Sequence, residues 1–160
     1  MRPILNKFAQ PVGVLLESFQ ACQLPFNVEK GHSVQLIPIY PEQIDPKMIQ
    51  SLWQSIQQEP DARCWTYLPY PPILDEAELT TYFQNAFHFA GAFHYAIQVG
   101  EQFVGWVGLL NIRPTHAVIE IGNVYFSQAM KQSTAATETI YLFIATYLFC
   151  SRLSTGRVEM

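Results

Sequence analysis

Three apolar stretches, Phe93–Val99, Gln102–Asn111 and Val118–Phe126, follow one another with almost no chain between them. Gly100-Glu101 leaves room only for a tight turn after the first, and Arg113-Pro114-Thr115-His116 makes a looser one after the second. Strands joined so closely have no length for a crossover, so they must run antiparallel as neighbours. The strongly apolar stretch from Ala135 to Leu153 comes next and reads as a long helix, packed across the sheet and buried on more than one side.

The chain ahead of these strands supplies one more strand and two helices. Val34 to Ile39 reads as a strand, with Pro38 marking an edge or an end because proline has no N–H for a ladder. Asp45-Pro46 starts a helix, aspartate as cap and proline in the first helical position. That helix extends to about Gln58 and carries Ile49, Leu52, Trp53 and Ile56 on one face. Residues 59–74 hold Pro60, Pro69, Pro71 and Pro72 around Trp65, Tyr67 and Tyr70, too much proline for a helix or a central strand. A second helix starts near Asp75, with Asp75 as cap and Glu78 reaching back, and turns Leu79, Tyr82, Phe83 and Phe87 to a core.

Residues 1–31, punctuated by Pro3, Pro11, Gly13, Pro25 and Gly31, read as an N-terminal arm in which only Val14 to Phe19 is apolar enough to pack. Residues 32–160 then form one α+β domain, in the order strand, helix, helix, three antiparallel strands, helix and the beginning of a further strand. A chain of 160 residues, 49% hydrophobic and 14% charged, is enough for a single domain with a proper core.

A net charge of −4, with nine Lys and Arg scattered along the chain, lacks the basic patch that nucleic-acid binding needs. Cys22, Cys64 and Cys150 make no CxxC pair and no disulfide framework, which fits a reducing, cytoplasmic compartment. Cys150, at the end of an apolar helical run, reads as a small buried hydrophobe. No signal peptide is expected, because no continuous apolar core follows Arg2. The apolar run Ile140 to Cys150 is too short to span a bilayer, so no membrane partner is expected. His32, His88, His94 and His116 have no metal-ligand spacing and receive no role.

The chemistry gathers at one junction. Glu120-Ile121-Gly122-Asn123-Val124-Tyr125-Phe126-Ser127 closes the third strand, and Lys131-Gln132-Ser133-Thr134-Ala135-Ala136-Thr137-Glu138 opens the long helix. A helix start offers N–H groups without intrahelical acceptors at the positive end of the dipole, which suits a phosphate or pyrophosphate. The same residues also suit an ordinary helix start capped by Ser133.

Five segments, two of them overlapping this junction, stand out together: Trp65-Thr66-Tyr67-Leu68-Pro69-Tyr70, Val104-Gly105-Trp106-Val107-Gly108, Ile119-Glu120-Ile121-Gly122-Asn123-Val124, Ala135 to Leu142, and Gln10-Pro11-Val12-Gly13 in the arm. Together they resemble the GNAT superfamily of N-acetyltransferases, in the subgroup similar to the ribosomal-protein N-acetyltransferases, along essentially the whole chain. The resemblance implies a GNAT-like mixed, mainly antiparallel sheet with flanking helices. It also implies acetyl-coenzyme A as co-substrate, a small-molecule or peptide amine as acceptor, and no metal.

The family's pyrophosphate loop follows a Gln/Arg-x-x-Gly-x-Gly/Ala pattern. Laid on this chain, it starts at Lys131, passes Thr134 and reaches Ala136, which assigns cofactor contacts to Lys131, Ser133, Thr134, Ala135 and Ala136. Lys131 stands where Gln or Arg is usual, and Thr134 stands where Gly lets the backbone come closest. The resemblance also gives Val124, Tyr125 and Phe126 free backbone groups for the pantetheine arm, one N–H polarising the thioester carbonyl. Glu120 is the candidate base, since a carboxylate on a mostly apolar strand loses hydration and gains basicity. It reads equally as an exposed strand-face glutamate. Asn123 is expected to orient the substrate, and Trp65, Tyr67 and Tyr70 either line the acceptor pocket or belong to the core.

The resembled fold continues beyond Gly156-Arg157-Val158-Glu159-Met160 with the rest of a fifth strand, a fourth helix and a final hairpin. The domain is therefore expected to be C-terminally incomplete, lacking the second lip of the cofactor cleft and the helix that commonly supplies a general acid. Two functions follow as expectations: an N-acetyltransferase, or a truncated, inactive remnant or coenzyme-A-binding protein. An uncovered edge on Val118–Phe126 beside the Ile140–Phe149 helix leads to the further expectation of a homodimer.

Overall fold

The computed structural model describes residues 4–12, 27–85, 92–116 and 118–153, with side chains as far as Tyr147. The expectations for Val14–Phe19, Cys22, Phe87, His88, the Cys150 side chain and the extended Arg157–Glu159 segment lie outside the described residues. In the arm, β1 (Ile4–Leu5) and β2 (Pro11–Val12) pair as a small antiparallel hairpin. Asn6 Oδ1 accepts from the Phe8 and Gln10 N–H groups inside its turn.

A five-stranded antiparallel sheet follows, in the spatial order β3 (Glu29–Lys30), β4 (Gln35–Pro38), β5 (Phe93–Val99), β6 (Gln102–Arg113) and β7 (Val118–Phe126). The meander read from the three apolar stretches is present, and Gly100 opens its first turn with φ +60°. A short 3-10 turn, Pro114–His116, makes the second connection. One strand went unread: Glu29–Lys30 pairs with Gln35–Leu36 and so brings the end of the arm into the sheet. Two polar residues carry no period from which a strand can be recognised.

Both early helices form where the sequence places them. Helix α1 (Pro46–Gln57) is capped by Asp45, whose side chain accepts from the Lys47 N–H at 2.9 Å. Helix α2 (Glu76–Asn85) has the expected reciprocal cap: Asp75 Oδ1 accepts from the Glu78 N–H, and Glu78 Oε2 from the Leu74 N–H. Both helices cover one face of the sheet, packing Leu52, Ile56, Leu79 and Phe83 with Trp65, Trp106 and Tyr125.

Helix α3 (Thr134–Leu153) covers the other face, where Phe143 and Tyr147 meet Tyr95, Ile97, Val107 and Leu109. Buried Tyr95 and Tyr147 join hydroxyls at 2.6 Å. Near the helix start, Glu138 ties α3 to the β3–β4 turn by accepting from the His32 and Ser33 N–H groups and the Ser33 hydroxyl. The expectation that α3 is buried on more than one side is corrected. Thr139, Phe143 and Tyr147 face the sheet, while Tyr141 is 66% exposed and Ile144 is exposed beside it. Among the described residues, no helix is long and apolar enough to cross a membrane.

Gly105 shows how closely β6 and β7 approach. A Cβ there would collide with the Tyr125 carbonyl, and no rotamer change moves a backbone oxygen. Gly105→Ala is expected to destabilise the domain by about 1–3 kcal/mol, the usual cost of overpacking. A lowered urea midpoint at unchanged m-value is the expected readout.

Candidate functional site

The ladder between β6 and β7 carries one residue too many. Gly105 pairs with Phe126 and Trp106 with Tyr125, but the next aligned pair is Gly108 with Gly122. Val107 therefore faces two residues, Asn123 and Val124, a β-bulge with Asn123 in the left-handed region at φ 50°. Asparagine accepts that conformation more readily than most residues, and bulges interrupt pairing and re-aim side chains. Strand β7 is also the outer strand of the sheet, so its far edge has no strand partner among the described residues. Val124, Tyr125 and Phe126 sit on this stretch. The Tyr125 side chain points inward, sandwiched between Trp106 at 4.4 Å and Trp65 at 5.6 Å between ring centroids.

From Phe126 the chain makes a compact loop into α3. The Ser127 N–H reaches the Val104 carbonyl, the Met130 and Lys131 N–H groups reach the Ser127 carbonyl, and the Ser133 N–H reaches the Met130 carbonyl. Buried Met130 pins the loop into the core. Ser133 then caps the helix: its Oγ accepts from the Ala136 N–H at 3.2 Å and donates to the Met130 carbonyl at 2.7 Å. The reading of this helix start as one capped by Ser133 is thus observed. With the Ala136 N–H engaged by the cap, the first-turn N–H groups of Thr134 and Ala135 remain without intrahelical acceptors.

Lys131 does not project freely from this loop. Its Nζ lies 2.6 Å from Glu59 Oε2, and the Glu59 side chain is 5% exposed. Tyr125 donates its hydroxyl to Glu59 Oε1 at 3.4 Å. Burial first, and then the Glu59 charge, push the Tyr125 phenol well above its ordinary value. Glu59 follows α1 and lies far from Lys131 in sequence, so no local spacing pointed to it.

The remaining candidates divide. Glu120 is exposed, opposite Leu110, with its carboxylate accepting from Asn111 Nδ2. The loss of hydration expected of it is not found: it shares the face of β7 with Gly122, across from Leu110, and stands in water there. Among the aromatic residues, Trp65 is buried in the core and Tyr67 is 96% exposed. Tyr70 alone of the three lines an open cleft of about 440 Å³, with Pro72, Ile73, Asp75, Thr81 and Tyr82. Trp65 thus follows the core reading, in its stack with Tyr125, while Tyr67 stands in solvent.

His94, given no role from the sequence, lies fully buried on β5 with Nε2 3.2 Å from Asn123 Nδ2 and 3.5 Å from the Tyr82 hydroxyl. Burial holds its imidazole down at about 4, against an ordinary 6.5, so it is neutral at physiological pH. Among the described residues, no cluster of three or more His, Cys, Asp or Glu is placed to hold a metal ion.

An antiparallel sheet with two helices on one face and one on the other, bulged where its edge strand meets a capped helix, is a specific architecture. Solved structures superimpose on this fold. One from Chromobacterium violaceum ATCC 12472, described as an acetyltransferase of the GNAT family, superimposes with a TM-score of 0.71 at 27% identity, covering 92% of this chain and 71% of its own. The fold is that of the GNAT acetyltransferases. A GCN5-related N-acetyltransferase from Brucella melitensis gives a TM-score of 0.73 at 24% identity, covering 84% of this chain and 60% of its own. The ribosomal L7/L12 alpha-N-protein acetyltransferase RimL, in complex with coenzyme A, gives 0.56 at 15% identity, over 73% and 64%. This chain thus spans 71% of the first of these proteins and less than two thirds of the other two. No protein-family model matches the sequence, and neither does any curated protein.

Two outcomes test the electrostatics of the site. Lys131→Ala strands the buried Glu59 carboxylate and is expected to cost about 1–3 kcal/mol, reduced by the partial exposure of the lysine. Adding Glu59→Gln should return most of that loss in urea unfolding. His94 gives a pH signature. Its folded pKa lies below the unfolded one, so as pH falls from about 6.5 to 4 the unfolded chain takes up a proton that the native state refuses. The native state is expected to lose about 3 kcal/mol across that window, a slope that should flatten in His94→Gln.

Proposed function

We propose that the chain transfers an acetyl group from acetyl-coenzyme A to an amine. The observation that carries this reading is the adjacency of the Asn123–Val124 bulge, the open edge of β7 and the capped start of α3. Pyrophosphate would lie at the N–H groups of Thr134 and Ala135, at the positive helix end. Lys131, Ser133 and Ala136 shape the same turn. The pantetheine arm would run along Val124, Tyr125 and Phe126, pairing with the edge of β7 that has no strand partner among the described residues. A backbone N–H there would stabilise the oxyanion as the amine nitrogen attacks the thioester carbonyl. The C–S bond then breaks, coenzyme A leaves with its sulfur, and the amine gives up a proton. Glu120, in water, would receive that proton through a solvent molecule rather than by direct contact.

Asn123 would orient the amine, and the cleft beside Tyr70 is the proposed acceptor site. Asp75 and Glu78 line it and favour a cationic acceptor. A protein terminus, as in the name of RimL, is one such amine. Acetyl-coenzyme A supply would place the activity in the cytoplasm. A homodimer through the outer edge of β7 ahead of the bulge, at Val118–Gly122 and clear of the stretch given to the pantetheine arm, belongs to the same proposal, with light scattering as its check.

Calorimetry with acetyl-coenzyme A, followed by thiol release against a panel of peptide and small-molecule amines, tests the reading. Binding with amine-dependent thiol release is expected. Binding without release would favour a coenzyme-A-binding protein that does not turn over, and no binding would overturn both. Thr134→Asp is expected to weaken acetyl-coenzyme A by at least about tenfold through charge repulsion with the phosphates. Asp in the first turn favours the helix itself, so the loss should come at undiminished stability.

A further inference from the structure

We propose that His94 is a positioning residue for Asn123, acting across the intervening strand through the gap left by Gly108. This rests on the acetyl-transfer reading above. His94 belongs to β5 and Asn123 to β7, two strands apart in the sheet. Side chains that far apart do not ordinarily meet, because the residue between them on β6 stands in the way. Here that residue is Gly108, paired with His94 on one side and Gly122 on the other. A Cβ on Gly108 would fall 3.0 Å from His94 Nε2, 3.2 Å from its Cδ2 and 3.0 Å from the Gly122 carbonyl. The missing side chain is the passage through which imidazole reaches amide.

With the Asn123 amide oriented so that Nδ2 faces the ring, Nε2 accepts and His94 carries its proton on Nδ1; the flipped amide would instead accept from an Nε2–H. Nε2 has a single lone pair, and the amide at 3.2 Å is nearer than the Tyr82 hydroxyl at 3.5 Å. With Nδ2 committed to His94, Oδ1 is the atom of Asn123 left to accept a hydrogen bond from an amine. Asn123 takes the left-handed backbone of the bulge, φ 50°. His94 therefore fixes which end of its amide meets the acceptor.

His94→Phe removes the acceptor while filling the space; His94→Gln restores an acceptor oxygen. Steady-state kinetics, acetyl-coenzyme A affinity by calorimetry and the imidazole tautomer by long-range proton–nitrogen NMR are read on the native chain and both variants. Loss of one such hydrogen bond predicts a fall in kcat of about tenfold in His94→Phe, recovery in His94→Gln, and unchanged acetyl-coenzyme A affinity. Native His94 should be protonated at Nδ1 only. An unchanged kcat in a folded His94→Phe, a loss that His94→Gln does not restore, or a proton on Nε2 in the native chain would each overturn the proposal. Should the native chain acetylate no amine while binding acetyl-coenzyme A, the transfer reading fails first, and the tautomer still decides the contact between His94 and Asn123.

Discussion

Everything at the functional end depends on how closely β6 can lie against its neighbours. Two glycines govern that approach. Gly105 lets the Tyr125 carbonyl come up against the β6 backbone, and Gly108 leaves a hole beneath which an imidazole is seated. Between them stands Trp106, fully buried, against which Tyr125 stacks. Trp106 and Gly108 share the α1–α2 face, so the bulk of that core falls on one residue and is removed from the next, while Gly105 faces α3. The bulge at Asn123–Val124 falls beside this pattern, where the strand must absorb an additional residue without losing its grip on Trp106.

The two faces of the sheet do different work. The α3 face is almost wholly apolar and is sealed at its centre by a tyrosine pair. The opposite face holds the aromatic cluster but also the polar groups of interest, His94, Asn123, Tyr82 and the Glu59 carboxylate. Burying these groups costs solvation, and each is met by at least one polar partner. The stability of that face and its chemistry are consequently written in the same residues.

Much of the fold was legible because it is local. The bounds Phe93–Val99 and Val118–Phe126 follow from apolar runs and short turns, and α1 begins at Pro46 because Asp45 caps it. The loop between β7 and α3 was also legible, as a strand end followed by small residues. What stayed hidden depends on partners far away in sequence. A bulge is a mismatch between two strands, so Asn123 alone cannot disclose it. His94 meets Asn123 across a third strand, and Glu59 meets Lys131 across 72 residues, so neither leaves a spacing to read. Glu120 shows the converse error: the apolar character of its strand was visible, but its outward direction depended on the register.

The ion pair between Glu59 and Lys131 has a bearing on selectivity. A lysine beside a helix start would ordinarily make a general trap for anions. Here its charge is already neutralised by a carboxylate that is itself hidden from water. A stray sulfate or chloride arriving at the loop meets an almost neutral surface, with only the backbone dipoles of the first turn to hold it. Capturing Lys131 as well would mean competing with Glu59, which a ligand anchored at several points can do and a small ion cannot. At the proposed cofactor site the pairing would act as a threshold, admitting ligands by the breadth of their attachment rather than by their charge alone.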